Sequence, residues 1–163
     1  GRGLWPAFWM MPEGQLYGWP LEGEIDILEW TGHDPHRIIG AIHFGDLPPD
    51  NVHYSETLRT PAAWSGDFHT YGIEWSAEQI AWYANNRIHG SATPNDILPW
   101  PWVFDDKSFY LILNMADHGF KVVAFNRTVS KVHIFDAVRQ GVQSSGTRFC
   151  VKNFPLRLSR IHK

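Results

Sequence analysis

The segment Glu24–Trp30 places three acidic residues on an otherwise apolar stretch with a period of two. Such alternation is typical of a β-strand, because successive strand side chains point to opposite faces. Glu24 and Asp26 fall on one face with isoleucines on the other, yet the third acid stands at position 29 rather than 28. A β-bulge with Leu28 as the extra residue would return Glu29 to the acidic face.

Further strand candidates follow this segment, separated by loops rich in Pro and Gly. The pair Asn85-Asn86 predicts a tight turn, since Asn tolerates positive φ. Many short strands joined by such loops predict an all-β fold, an antiparallel β-sandwich or jelly roll. The candidate strands are residues 37–44, 68–75, 79–84 and 108–115, and the last of these is apolar on both faces, which predicts burial.

Composition limits the classes of function. A chain of 163 residues with a net charge of −3 can bury one core and favours neither nucleic acid nor an anionic membrane as a partner. The single cysteine, Cys150, leaves no internal disulfide. No apolar run reaches membrane-spanning length, and the first residues lack a signal-peptide pattern, so we expect any export signal to lie upstream.

The charge changes sign near residue 120. Residues 1–120 hold five Lys or Arg against sixteen Asp or Glu, whereas residues 121–163 hold nine basic residues against one acid. The sequence therefore predicts two parts: a core over residues 1–120 and a basic tail over residues 121–163. Val132–Val138 is a strand candidate in the tail. We expect little regular structure in the rest of the tail.

Three carboxylates on one strand face also suggest chemistry. Glu24 and Glu29 would lie on the order of 13 Å apart at their Cα atoms. Long side chains can narrow that gap to the roughly 5–5.5 Å between carboxyls that a retaining glycosidase uses. A solvated acidic edge and a hard-cation site of three carboxylates are the alternatives. Clustered like charges embedded among Ile and Leu favour catalysis over both.

Five segments resemble glycoside hydrolase family 16, and within it the laminarinase-like endo-β-1,3-glucanases. The two residues between Asp26 and Glu29 are similar to those of laminarinases, agarases and carrageenases, and the block Trp5–Trp9 is most similar to laminarinases. The resemblance covers residues 1 to about 119, and its segments are residues 3–12, 23–30, 40–44, 68–75 and 109–116.

This resemblance implies a jelly roll of the concanavalin A-like type, present as an incomplete copy that lacks N-terminal strands. It implies Glu24 as nucleophile and Glu29 as acid/base, with Asp26 between them as a further catalytic residue that can hydrogen-bond the nucleophile. It also implies a polysaccharide substrate, a monomer, an extracellular or periplasmic location and no cofactor, with a structural calcium ion possible but its ligands unknown.

Several aromatic residues are candidates for sugar binding, because pyranose rings stack on flat apolar surfaces. The resemblance places Trp5 and Trp9 near the donor side of the cleft, and their even spacing puts both on one strand face. His43 is a candidate partner of a sugar hydroxyl or of Glu29. Trp30 and Trp75 complete the substrate-binding candidates, with core packing as the alternative for each of these side chains.

Two alternatives to an active enzyme stay open. A non-catalytic β-glucan-binding protein on the same fold typically lacks the acids that are present here. An inactive gene fragment would be expected to leave laminarin uncleaved. The DNA upstream and downstream, translated in all frames, would distinguish a fragment from a complete gene.

Overall fold

A computed structural model describes residues 2–116 and the backbone of three short strands beyond them. The strands are β1 (Trp5–Pro12), β2 (Glu24–Trp30), β3 (Arg37–Gly45), β4 (Asn51–Arg59), β5 (Tyr71–Trp75), β6 (Ile80–Ala84), β7 (Arg87–Ala92), β8 (Phe109–Ala116), β9 (Arg127–Val129), β10 (Val138–Gln143) and β11 (Gly146–Val151). Two short 3-10 helices span Trp64–Gly66 and Pro94–Ile97.

The strands form an antiparallel β-sandwich, which confirms the predicted fold class. One sheet has six strands in the order β4-β3-β2-β1-β8-β9, and a second sheet has three in the order β5-β6-β7. The strands β10 and β11 pair with each other. β2 lies inside the large sheet, between β1 and β3. Hydrogen-bonded ladders on both sides therefore hold the backbone of β2 in place.

One hydrophobic core lies between the two main sheets. Alternate residues of the large sheet, such as Phe8, Met10 and Ile42, are buried against residues of the small sheet, such as Ile73 and Trp82. This period of two leaves the opposite face of the large sheet free to carry polar side chains.

Trp82 on β6 joins the two sheets beneath the acidic strand. Its indole Nε1 donates a hydrogen bond of 2.8 Å to the backbone carbonyl of Asp26. The ring lies on Gly40 of β3, where an added Cβ would come within 2.3 Å of the indole. A side chain at position 40 would therefore displace Trp82 from its contact with β2.

The sequence located five of the eight strands within residues 2–116. All five predicted strands are present, and Asn85 and Asn86 have φ angles of 51° and 62°, as the predicted turn requires. β1, β4 and β7 were not among the predicted strands. The sequences of β4 and β7 are largely polar, and their side chains are mostly half-buried or exposed, so the apolar signal is weak.

Two predictions about the last strands need correction. β8 is not buried on both faces: Phe109 and Leu111 face the core, whereas Tyr110 and Ile112 are half-buried on the other face. The three strands β9–β11 contradict the expectation of little regular structure beyond residue 120. The candidate strand Val132–Val138 lies outside the described residues except for Val138, where β10 begins.

No helix in the described part of the chain combines the length and apolar character needed to cross a membrane.

Candidate active site

A cavity of about 210 Å³ lies on the face of the large sheet that is turned away from the core. Three adjacent strands, β2, β1 and β8, supply its walls, and it brings the three acids of β2 together with two tryptophans. Its lining residues are Trp5, Ala7, Trp9, Glu24, Asp26, Glu29, Asn114 and Ala116.

A one-residue bulge in β2 puts Glu29 on this face. Against β3, Asp26 pairs with Ala41 and Glu29 pairs with Ile39, so three steps along β2 match two along β3. If β2 kept all its residues but ran as a regular strand without the bulge, Glu29 would point into the core because strand side chains alternate. The bulge predicted from the position of the third acid is therefore confirmed.

The extra residue is Ile27 rather than Leu28. Against β1, Leu28 pairs with Phe8 and Asp26 pairs with Trp9, which leaves Ile27 without a partner in that ladder. Both residues are buried, each about 1% exposed. Position 27 and position 28 give the same change of phase, so the sequence alone could not choose between them.

Glu24 is held by the loop that precedes it. Trp19 donates its indole Nε1 hydrogen to Glu24 Oε2 over 2.5 Å. The loop is fixed in turn by Glu22, a buried residue whose Oε2 accepts backbone hydrogens from Leu16 at 2.8 Å and Tyr17 at 3.2 Å. The position of the indole is therefore set by the loop's own backbone contacts.

Asp26 is the most enclosed of the three acids, with 3% of its surface exposed. Its Oδ2 lies 3.2 Å from His43 Nε2, but this buried oxygen has no partner in hydrogen-bond geometry. The ladder sets His43 opposite Glu24 and Ile39 opposite Glu29. The predicted pairing of His43 with Glu29 is therefore wrong, because the acid that His43 approaches is Asp26.

Burial shifts the ionisation of both inner acids. Burial, followed by the negative charge of Asp26, raises the pKa of Glu24 from 4.5 to about 8. Burial, followed by the charge of Glu29, raises the pKa of Asp26 from 3.8 to about 8. Their carboxyl groups can form a hydrogen bond with each other when one is protonated, so the pair titrates as a unit.

Glu29 and Trp9 are oriented by separate hydrogen bonds. Trp5, half exposed, donates its Nε1 hydrogen to Glu29 Oε1 over 3.1 Å. Trp9 donates its Nε1 hydrogen to Asn114 Oδ1 over 2.7 Å. The carboxylates of Glu24 and Glu29 thus each have one indole donor, and the ring of Trp9 is anchored across β1 and β8.

The remaining two substrate-binding candidates lie in the core. Trp30 is 4% exposed and donates to the Pro35 carbonyl at 3.2 Å. Trp75 is 5% exposed, donates to the Phe104 carbonyl at 2.7 Å and packs edge-on against Phe109. Both predictions are corrected, since these side chains fall on the core side of their strands and do not line the cavity.

Two site residues were missed from the sequence. Trp19 lies in a Pro- and Gly-rich loop, five residues before Glu24, so no strand period relates it to the acid. Asn114 is the one polar residue in the apolar run Phe109–Met115. That isolated polar side chain was a signal, because a polar group on a central strand requires a partner.

The match to a family model agrees with this geometry. The model of Glycosyl hydrolases family 16 matches residues 1–113. The chain belongs to glycoside hydrolase family 16, which confirms the resemblance seen in its motifs.

Individual relatives give the same result. A glucan endo-1,3-beta-glucosidase of Cryptopygus antarcticus is 39% identical, over 73% of this chain and 47% of its own length. A beta-1,3-glucan-binding protein of Penaeus monodon is 32% identical, over 73% of this chain and 40% of its own length. The structure of the endo-beta-1,3-glucanase from Pyrococcus furiosus superposes with a TM-score of 0.63 at 38% identity, covering 74% of this chain and 47% of that one. The chain thus spans less than half the length of each.

Proposed function

We propose that this chain carries the active site of a retaining endo-β-1,3-glucanase that hydrolyses laminarin-like polysaccharides. The observation that carries the proposal is the convergence of Glu24, Asp26 and Glu29 on one cavity beside Trp5 and Trp9. Two carboxylates flanking a glycosidic bond are the minimum for this chemistry. The similarity to relatives named as endo-1,3-β-glucanases supports the choice of substrate.

Hydrolysis would proceed by double displacement. Glu24 attacks the anomeric carbon while Glu29 protonates the leaving glycosidic oxygen, which forms a covalent glycosyl-enzyme. Glu29 then removes a proton from water, and that water releases the sugar from Glu24. Two inversions at the anomeric carbon leave its configuration unchanged.

The raised pKa values of the inner acids require an account of how Glu24 is ionised. Glu24 receives a hydrogen bond from Trp19, which favours its charged form. Asp26 is the more buried acid, and its Oδ2 lacks a hydrogen-bond partner. The hydrogen bond between the two carboxyls raises the pKa of Glu24 and lowers that of Asp26, which puts the shared proton of the resting pair on Glu24. We infer that this proton moves to Asp26 before attack, because Trp19 stabilises the Glu24 anion, and that the transfer leaves Glu24 as the anionic nucleophile.

Chemical rescue tests the roles of the two glutamates. With an activated aryl β-glycoside of laminaribiose, Glu24→Ala should form the α-glycosyl azide when azide is added, because azide then attacks the anomeric carbon directly. Glu29→Ala should form the β-glycosyl azide, since azide attacks the glycosyl-enzyme. Reversed anomers would exchange the two roles, and an inverted natural product would exclude the retaining mechanism.

Substrate choice is tested by comparing polysaccharides. Laminarin should be cleaved faster than agarose, carrageenan or xyloglucan, measured as new reducing ends. Preference for a galactan would overturn the β-1,3-glucan assignment and leave the mechanism intact. Failure of the folded chain to cleave laminarin, whether it binds laminarin or not, would overturn the proposed activity.

A β-glucan-binding role is the second candidate, supported by the similarity to the Penaeus monodon protein. Retention of laminarin without any new reducing ends would favour it. We also propose that the chain acts outside the cytoplasm, because an endo-acting enzyme has to meet its polymer where the polymer lies. Fractionation of the source cells tests this location.

A further inference from the structure

We propose that Glu24, Asp26 and His43 form a binding site for a divalent transition-metal ion such as Zn²⁺, and that the bound ion excludes glucan from the cavity. The binding site follows from the geometry of these three residues. The exclusion of glucan rests on the proposed function, in which Glu24 is the nucleophile.

The sheet brings the three ligands together. Glu24 and His43 are directly paired across β2 and β3, and Asp26 lies on the same face two residues further along. One ligand atom from each residue lies within 4.8 Å of those of the other two. Zn²⁺ with ligands at about 2.0–2.2 Å holds them roughly 3.5 Å apart, so closure by about 1 Å is needed. Rotation of the long Glu24 side chain can supply it.

A second observation points to a ligand at this position. Asp26 Oδ2 is buried, has no hydrogen-bond partner and lies 3.2 Å from His43 Nε2. A buried carboxylate oxygen without a partner is unfavourable, because it has lost its hydration without gaining a hydrogen bond. A cation between this oxygen and the imidazole nitrogen would satisfy both atoms at once.

The donor set selects the class of ion. One imidazole nitrogen with two carboxylates suits Zn²⁺ and similar ions, whereas Ca²⁺ and Mg²⁺ prefer oxygen alone. The ligand atoms that lie together are those of Glu24, Asp26 and His43, so Glu29 does not complete the site of three carboxylates considered from the sequence. Trp19 holds Glu24 Oε2 and would orient that ligand from outside the metal shell.

A bound metal ion would conflict with catalysis at the carboxylate of Glu24. The Glu24 oxygen that binds the ion is withdrawn from the anomeric carbon, and the ion with its open coordination position fills space in the cavity that the sugar needs. The ion should therefore compete with the glucan, raising KM with kcat unchanged.

Binding is measured on the full 163-residue chain without reference to activity. Co²⁺ serves as a probe through its visible absorption, and Zn²⁺ is measured by equilibrium dialysis. His43→Gln and Glu24→Gln should each weaken binding by about 10-fold or more, since each removes a ligand. Asp26→Asn is a third ligand variant in case one of these does not fold, which circular dichroism will show.

Matched controls separate this site from its surroundings. His53 is exposed, and its ring lies 5.6 Å from that of His43, so His53→Gln should retain wild-type binding. Glu29→Gln should retain it as well. Unchanged binding in folded His43→Gln, or equal loss in His53→Gln, would overturn the site. With metal bound, a KM for laminarin that does not rise would overturn the exclusion. A chain that never cleaves laminarin would instead contradict the proposed function, while the binding result stands on its own.

Discussion

Trp19 and Glu24 are joined by a hydrogen bond of 2.5 Å from the indole Nε1 to the carboxylate Oε2. The donor comes from the loop before β2, whereas the acceptor lies on the strand itself. A donor aimed at a half-buried carboxylate stabilises its ionised form. Trp19 is thus a positioning residue for the proposed nucleophile.

Trp19→Phe should lower kcat/KM about 10-fold or more, since hydrogen bonds to charged groups are worth roughly 1.5–3 kcal/mol. Loss of the donor raises the pKa of Glu24 further, so the acid limb of the pH–kcat/KM profile should move to higher pH. Trp75→Phe is the matched control, because its indole bonds to a core carbonyl. An acid limb that does not move in Trp19→Phe would contradict the positioning role.

The buried pair should make stability depend on pH. The folded state holds the shared proton of the Glu24–Asp26 pair up to about pH 8, whereas in the unfolded chain both carboxyl groups release their protons near 4. Between these values the native state binds more protons, so stability falls as pH rises. The melting temperature Tm should therefore decline with pH, and Asp26→Asn should make this decline smaller. For a chain of this size, a change of about 1 kcal/mol in the free energy of unfolding shifts Tm by roughly 2–4 °C.

Thermal melts from pH 5 to pH 8 provide the measurement, and Asp50→Asn, in an exposed loop, is the control. A Tm that declines equally in Asp26→Asn and in the wild-type chain would show that the pair does not determine this slope.

Insertion of one alanine between Ile27 and Leu28 should abolish hydrolysis. A second extra residue changes the phase of β2 again and turns Glu29 towards the core, where an unpaired carboxylate is strongly unfavourable. Ile27→Val keeps the residue count, so its activity should stay near wild type with a stability loss of about 0.5–1.5 kcal/mol. Laminarin hydrolysis and denaturant melts of both variants test this, and a fully active insertion variant would contradict the role of the bulge.

Gly40→Ala should destabilise the protein by about 1–3 kcal/mol, because the new methyl group would overlap the Trp82 ring. It should also lower activity, since a displaced Trp82 no longer holds the carbonyl of Asp26. Gly66→Ala has open space around the added Cβ and serves as the control. Equal urea midpoints for the two variants would show that Trp82 can move without loss.

Much of this arrangement could be predicted from the sequence. The period of two in Glu24–Trp30 and the displaced third acid gave the strand, its acidic face and the bulge. These features are local, and they depend only on alternation and residue count. The core positions of Trp30 and Trp75 could not be predicted, because a tryptophan fits a sugar-binding face and a core equally well.

The rest depends on contacts between distant segments. Trp19 reaches Glu24 only because Glu22 folds the loop back on itself. Asn114 and Trp9 are 105 residues apart and meet only when β8 pairs with β1. His43 was a candidate partner of a sugar hydroxyl or of Glu29, but the register of β2 against β3 places it beside Asp26. Residue patterns within one strand carry no information on such a register.

The contact between Trp82 and Asp26 has a consequence for how the protein would respond to heat. The small sheet provides no lining residue to the described cavity. Its residue Trp82 nevertheless holds the backbone carbonyl of Asp26, next to the bulge in β2. Separation of the two sheets would release that carbonyl while the ladders of the large sheet are still intact. Catalysis should then fail at a lower temperature than the loss of β-structure, so that enzymatic activity reports the docking of one sheet upon the other.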